Sequence, residues 1–145
     1  MPCRRLFALS GTAAALAAVA VPTSSAQAAE RPARVPVVVD CAHQARVRPA
    51  SYVITCADAN DALAGLRWSS WQPQSASATG RQVLNDCVPN CVAGRYRSYP
   101  VTVRLDRVRP WAGHPGRWQY GRLLLRYTAQ RPPGTPRQVT FPLWS

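Results

Sequence analysis

The chain has 145 residues, with 18 arginines, no lysine and six acidic residues, for a formal net charge of +12 at pH 7. Without lysine, Schiff-base chemistry and a lysine general base are excluded. Net charge speaks to association rather than to fold, so this excess directs attention to an anionic partner.

Residues 1–28 have the pattern of an export signal. Arg4 and Arg5 form a charged start, Leu6 to Val21 an alanine-rich apolar run, and Ala26-Gln27-Ala28 a small-x-small cleavage site. The apolar run is shorter than the roughly 20 residues needed to cross a bilayer. Arg4-Arg5-Leu6-Phe7 is also similar to a twin-arginine signal, with Cys3 where Ser or Thr is usual. Both the general secretory and the twin-arginine route remain open. Cys3 precedes the apolar run, whereas a lipidated cysteine follows it. The expectation is a secreted mature protein without a membrane span, starting at Ala29.

Removing 28 of 145 residues leaves 117, with 16 arginines against six acids, a net +10. That length suits one domain, and the division expected is signal 1–28, flexible lead-in 29–36 and β domain 37–145. Four cysteines remain: Cys41, Cys56, Cys87 and Cys91. An even number in a small exported chain indicates a disulfide framework with three possible pairings. Proximity in sequence favours Cys41–Cys56 and Cys87–Cys91. By loop entropy these contribute about 3 and roughly 2 kcal/mol. A zinc site is disfavoured, because His43 and His114 stand at no recognisable ligand spacing from the cysteines.

Ala29 to Pro36 has two prolines and no apolar period, hence the lead-in. Val37 to Cys41 is β-branched and reads as a strand, residues 42–50 as a loop, and Ser51 to Cys56 as a second strand. Asp58-Ala59-Asn60-Asp61 suggests a calcium loop, but Leu63 and Ser69 occupy the positions where an EF-hand needs Gly and Glu. A turn is the better reading. Leu63, Leu66, Trp68 and Trp71 fit neither period, which allows a helical turn before a strand Leu66–Trp71, with one tryptophan buried and one at the surface. Ala76, Ala78 and Gly80 alternate as in a strand lying close under the tryptophans.

Asn85-Asp86 turns into Cys87-Val88-Pro89-Asn90-Cys91, a short clipped loop. Tyr99, Val101, Val103 and Leu105 then alternate with polar residues, a period of two. Val108 breaks that phase, so a bulge or strand end is expected near Asp106-Arg107. Pro110 to Gly116 is a loop carrying His114. Trp118 and Tyr120 have one parity, and Leu123, Leu125 and Tyr127 the other. Gly121 is the natural site for a bulge that shifts the register. A turn-rich segment precedes a last strand with Val139, Phe141 and Leu143. The fold class expected is all-β: a single small β-sandwich or barrel-like domain of six to seven strands with two disulfides.

No Gly-x-Ser-x-Gly elbow is present, the cysteines are expected to be oxidised, and the six carboxylates sit mostly in turns. His43 and His114 both fall in loops, and nothing places them together. The chain is therefore expected not to be an enzyme and to carry no cofactor or metal, with a small secreted hydrolase as an alternative. The principal expectation is a secreted, non-enzymatic binding module for polyanions, such as nucleic acid or acidic wall polymers. The candidate ligand-binding residues are Arg95, Arg97, Arg104, Trp111, Trp118, Arg122 and Arg126, accompanied by Tyr96, Arg107 and Arg117. Arg104, Arg122 and Arg126 lie on the polar parity of their strands. They converge on one face if those strands are antiparallel neighbours.

The succession Asp40-Cys41, Cys56-Ala57-Asp58-Ala59-Asn60, Leu66-Arg67-Trp68-Ser69-Ser70-Trp71, Asn85-Asp86-Cys87-Val88-Pro89-Asn90-Cys91 and Tyr99-Pro100-Val101 resembles a group of small secreted proteins of actinobacteria. The resemblance implies an exported, disulfide-bonded protein and no particular activity. The Cys41-x14-Cys56 spacing and the strand after the second cysteine loop are also similar to the subtilisin-inhibitor family. That likeness implies a secreted serine-protease inhibitor, with Arg95 or Arg97 as the primary specificity residue. The family ties its reactive loop to a cysteine beyond the next strand, and here no cysteine follows Cys91.

Overall fold

The computed structural model describes residues 34–143; the export signal and the first part of the lead-in lie outside the described residues. The described residues contain strands and turns and no helix. The main sheet is a curled, six-stranded antiparallel meander in chain order: β3 (Tyr52–Val53), β4 (Asp61–Trp71), β5 (Ala76–Asn85), β6 (Tyr96–Pro110), β7 (Trp118–Tyr127) and β8 (Gln138–Pro142). A second sheet pairs β1 (Val38–Val39) with β2 (Ala45–Arg46). The β2 strand falls in a segment expected to be loop. Of the two expected architectures, this is nearer the barrel-like one.

The core fills the concave face. Leu63, Leu66, Trp71, Ala76, Ala78, Val101, Val103, Leu105, Tyr120, Leu123, Leu125 and Tyr127 are all buried there. The apolar alternation of β6 and β7 points inward, as a half-buried sheet requires. In β4 the inward residues are 63, 66, 68 and 71, and the helical turn expected before Leu66 does not exist. Two register shifts, between Ala64 and Arg67 and between Trp68 and Ser70, each add a residue to one continuous strand. Gly65 sits in the first bulge at a φ of 61°.

Across from β4, the small residues of β5 face the large ones. Trp71 pairs with Ala76 and Trp68 with Ala78. A Cβ on Gly80 would stand 2.9 Å from Leu66 Cδ2 and 3.0 Å from the Ala64 carbonyl. Trp68 and Trp71 meet edge to face at 4.6 Å, and both pack on the core, so neither is the surface residue expected. Their indole N–H groups donate to the Pro49 and Pro36 carbonyls, while the Tyr52 and Tyr120 hydroxyls donate to the carbonyls of Val39 and Gln72. Each aromatic thereby satisfies its own polar atom and a loop carbonyl together. Burial pushes the Tyr52 and Tyr120 hydroxyls up to about 12.

Pro36 is fully buried, so the end of the expected lead-in belongs to the fold. Val37 bridges Gln119 in parallel, giving its N–H to the Trp118 carbonyl and its carbonyl to the Tyr120 N–H. One side of this segment sends Val38 into the main core; the other puts Val37 and Val39 with Trp111 in a second cluster. The Cys41–Cys56 disulfide joins the small sheet to the end of β3, and Cys87–Cys91 clips the β5–β6 connection, the pairing expected from spacing.

The phase break at Val108 has an unexpected form. The β6–β7 register is the same before and after it: Asp106 pairs with Arg122, and Val108 with Tyr120. Both strands instead carry one extra residue at the same level, Arg107 and Gly121. The inward series passes from 105 to 108 on one strand and from 123 to 120 on the other. Arg107 adopts a φ of 53°, and a Cβ on Gly121 would lie 2.8 Å from the Arg107 carbonyl oxygen. Glycine permits the close approach, and the register shift expected at Gly121 is absent.

Candidate functional site

The strand period of two sends every second side chain of β4 to β8 to the outer face of the sheet, and the register arranges these in rows. One row runs Arg67, Thr79, Thr102, Arg126, Gln138 across five strands. The next runs Ser70, Ser77, Arg104, Leu124, Thr140. Flanking them are Ala64, Arg81 and Pro100 on one side and Asp106, Arg122 and Pro142 on the other. A shallow groove of about 320 Å³ lies over the two middle rows, lined by Ser69, Ser77, Thr79, Thr102, Arg104, Leu124, Arg126 and Gln138. Ser and Thr residues make up much of its lining, beside an apolar spot at Leu124. Arg104 and Arg126 are diagonal cross-strand neighbours, roughly 7–8 Å apart at the backbone.

The convergence of Arg104, Arg122 and Arg126 expected from parity is therefore present, with one change. Asp106 stands among them. Arg122 makes a two-pronged ion pair with it, Nε to Oδ1 at 2.6 Å and Nη2 to Oδ2 at 2.7 Å, and Arg104 Nε lies 3.4 Å from Oδ2. The Arg122 hydrogen bonds hold the Asp106 carboxyl below the ordinary carboxylate range, so it is ionised at neutral pH. Arg122 is thus neutralised internally, and the mutual repulsion of these arginines is relieved by a carboxylate of the chain itself. Among the described residues Arg67, Arg81 and Arg126 have no carboxylate within ion-pair distance. Five arginines against one aspartate leave this face at +4.

Arg67 and Arg81 were not among the residues expected from sequence. The strand register identifies them: Arg67 stands between the inward Leu66 and Trp68, and Arg81 beside the inward Gln82. Arg81 is held by Ser98, whose hydroxyl and carbonyl both accept from its guanidinium.

The remaining expected residues lie elsewhere. Arg95 and Arg97 stand beside the disulfide loop at the far end of β5 and β6. Asp86 accepts the Arg95 N–H at 2.8 Å and pairs with Arg97 Nε at 3.1 Å, while its own N–H donates to the Arg95 carbonyl. Both backbone hydrogen-bonding groups of Arg95 are thereby occupied within the chain. The Tyr96 hydroxyl is 3.4 Å from Asn60 Oδ1. Trp111 and Arg117 are at the opposite end, on the β6–β7 connection, with Trp118 at the start of β7, and Arg107 is on the kink. The seven candidate residues thus form three groups, of which only Arg104, Arg122 and Arg126 share the groove face.

The Asp58 turn forms as expected from its side chain: Asp58 accepts the Asn60 N–H at 3.1 Å and Asn60 Nδ2 at 2.9 Å. No group of three or more His, Cys, Asp or Glu side chains suited to a metal ion occurs among the described residues. No helix among them is long and apolar enough to cross a membrane.

No protein-family model, curated protein or solved structure matches the chain.

Proposed function

We propose that the chain is an exported, non-enzymatic binding module that holds acidic polymers on the outer face of its main sheet. The observation that carries this reading is the row-wise meeting of Arg67, Arg81, Arg104 and Arg126 around a groove lined by Ser and Thr residues, with Asp106 as the one counter-charge among the described residues of this face. Guanidinium groups bond phosphate and carboxylate oxygens in pairs, and hydroxyls supply secondary contacts without sequence selectivity. A shallow, open groove suits an extended polymer better than a small enclosed ligand. Two disulfides support an extracellular setting, where acidic wall polymers and nucleic acid are both met.

Titration against heparin, a polyphosphate and single-stranded DNA at low and rising salt tests the reading. Affinity is expected to fall steeply with salt for every polyanion of similar charge density. The double variant Arg104→Gln/Arg126→Gln is expected to fold normally and to lower the salt slope by about 2. Absence of binding at low salt, or an unchanged slope in the variant, would overturn it.

A further inference from the structure

A second concavity, separate from the groove, lies at the β6–β7 connection. It is an open hollow of about 520 Å³ bounded by Trp111, His114, Arg117, Trp118 and Arg34. The connecting loop is closed by its own backbone: Trp111 N–H donates to the Arg117 carbonyl, His114 N–H to the Trp111 carbonyl, and Arg117 N–H to the His114 carbonyl. Gly113 and Gly116, at φ of 74° and 76°, make the two reversals this requires.

Within the loop the His114 ring lies flat on Trp111, with centroids 3.5 Å apart and planes 14° from parallel. Trp111 is buried and backed by Val37 and Val39, so the inner leaf of this stack is anchored, while His114, the outer leaf, is exposed. His114 Nδ1 is 3.0 Å from the Ala112 carbonyl; a carbonyl only accepts, so Nδ1 carries the proton and Nε2 is the open ring nitrogen. The Arg117 guanidinium stands 5.1 Å from the Trp111 ring centroid, and that of Arg34 stands 5.1 Å from Trp118. Among the described residues neither arginine has a carboxylate within ion-pair distance and no acidic residue lines the hollow.

From this arrangement we infer that the hollow is a binding site for a ring-bearing anion: a planar aromatic ring that extends the Trp111–His114 stack, joined to a phosphate or carboxylate held between Arg117 and Arg34. The ring contributes selectivity through its face, and the two arginines contribute the charge. A nucleoside monophosphate has this chemistry, either free or as the end of a nucleic acid strand.

Tryptophan fluorescence titration of the intact protein with adenosine monophosphate, adenosine and inorganic phosphate tests the inference, with a short oligonucleotide added to distinguish a free ligand from a strand end. The monophosphate is expected to bind saturably and at least about tenfold more tightly than either fragment. His114→Ala and Arg117→Gln are each expected to weaken it about fivefold or more, with far-UV spectra unchanged. Arg104→Gln/Arg126→Gln is expected to leave it unaltered, which separates this site from the groove. Phosphate binding as tightly as the monophosphate would overturn the inference, reducing the hollow to a bare anion site. It would also be overturned by unchanged affinity in His114→Ala, or by no saturation up to about 10 mM monophosphate.

Discussion

Gln82 Nε2 donates to both oxygens of one buried carboxylate, lying 2.8 and 2.9 Å from the two oxygens of Asp61. On its other side Gln82 Oε1 accepts the Tyr127 hydroxyl. The amide orientation is thereby fixed, and the hydrogen bonds to this buried carboxyl come from a neutral amide. Burial pushes the Asp61 carboxyl above its ordinary value.

The sign of the resulting pH dependence follows from linkage. A carboxyl raised on folding favours the native state while protonated, and that contribution is lost as pH rises from the ordinary carboxylate value through the folded one. Asp40, Asp86 and Asp106 are shifted the other way, so total stability alone does not report Asp61. The difference between wild type and Asp61→Asn does. Denaturant unfolding is expected to show Asp61→Asn gaining on the wild type from about pH 4 upward. A pH-independent difference would contradict this. Tyr127→Phe leaves Gln82 Oε1 unpaired and is expected to cost about 1–3 kcal/mol.

Arg122 and Arg126 are alike in sequence setting and are expected to behave differently. Arg122→Gln removes the main partner of Asp106, which is 14% exposed, and is expected to lower the thermal midpoint by about 2–4 °C. Arg126→Gln is expected to leave the midpoint unchanged and weaken only polyanion binding. Thermal melts of the two single variants at one salt concentration check this.

The kink offers a pair of substitutions of opposite sign. Gly121→Ala sets a methyl against the Arg107 carbonyl and is expected to destabilise by roughly 1–3 kcal/mol. Arg107→Gly relieves the left-handed backbone at that residue and is expected to stabilise by up to about 1 kcal/mol. Equilibrium unfolding of both variants measures the two values directly.

Gln119 is fully buried, and among the described residues neither of its side-chain amide atoms has a hydrogen-bond partner. Its place beside Val37 in the bridge and near the Trp111 cluster suits an apolar side chain of the same length. Gln119→Met is expected to raise stability by about 1 kcal/mol, because an unpaired buried amide is replaced by a thioether of similar volume. A loss of stability on denaturant titration would count against this account.

The sequence made β6 and β7 legible because both keep one face apolar over several alternations, and Arg104, Arg122 and Arg126 followed from the same parity. It concealed β4 because two bulges convert a period of two into steps of three, two and three, which imitate no regular element. Residues 42–50 hid β2 because a two-residue strand of Ala45 and Arg46 carries no period. Arg67 and Arg81 could be placed with the other arginines only once the strand register was known, since row neighbours come from four different strands. Asp106 was visible on the same parity as Arg104, but its role as counter-charge depends on facing Arg122 across the ladder. The Asp61–Gln82–Tyr127 chain joins three strands and has no local signature.

The meander order of the main sheet has a kinetic consequence. Every neighbouring pair from β3 to β8 is joined by a single connection, so the sheet can zip hairpin by hairpin with little loop entropy to overcome. The bridge from Val37 to Gln119 spans more than half the chain and closes only when β7 is in place. The N-terminal segment is therefore expected to dock after the rate-limiting step. Val39→Ala is expected to accelerate unfolding and leave the refolding rate nearly unchanged, whereas Val103→Ala slows refolding. Stopped-flow chevrons of the two variants would show on which limb each substitution acts.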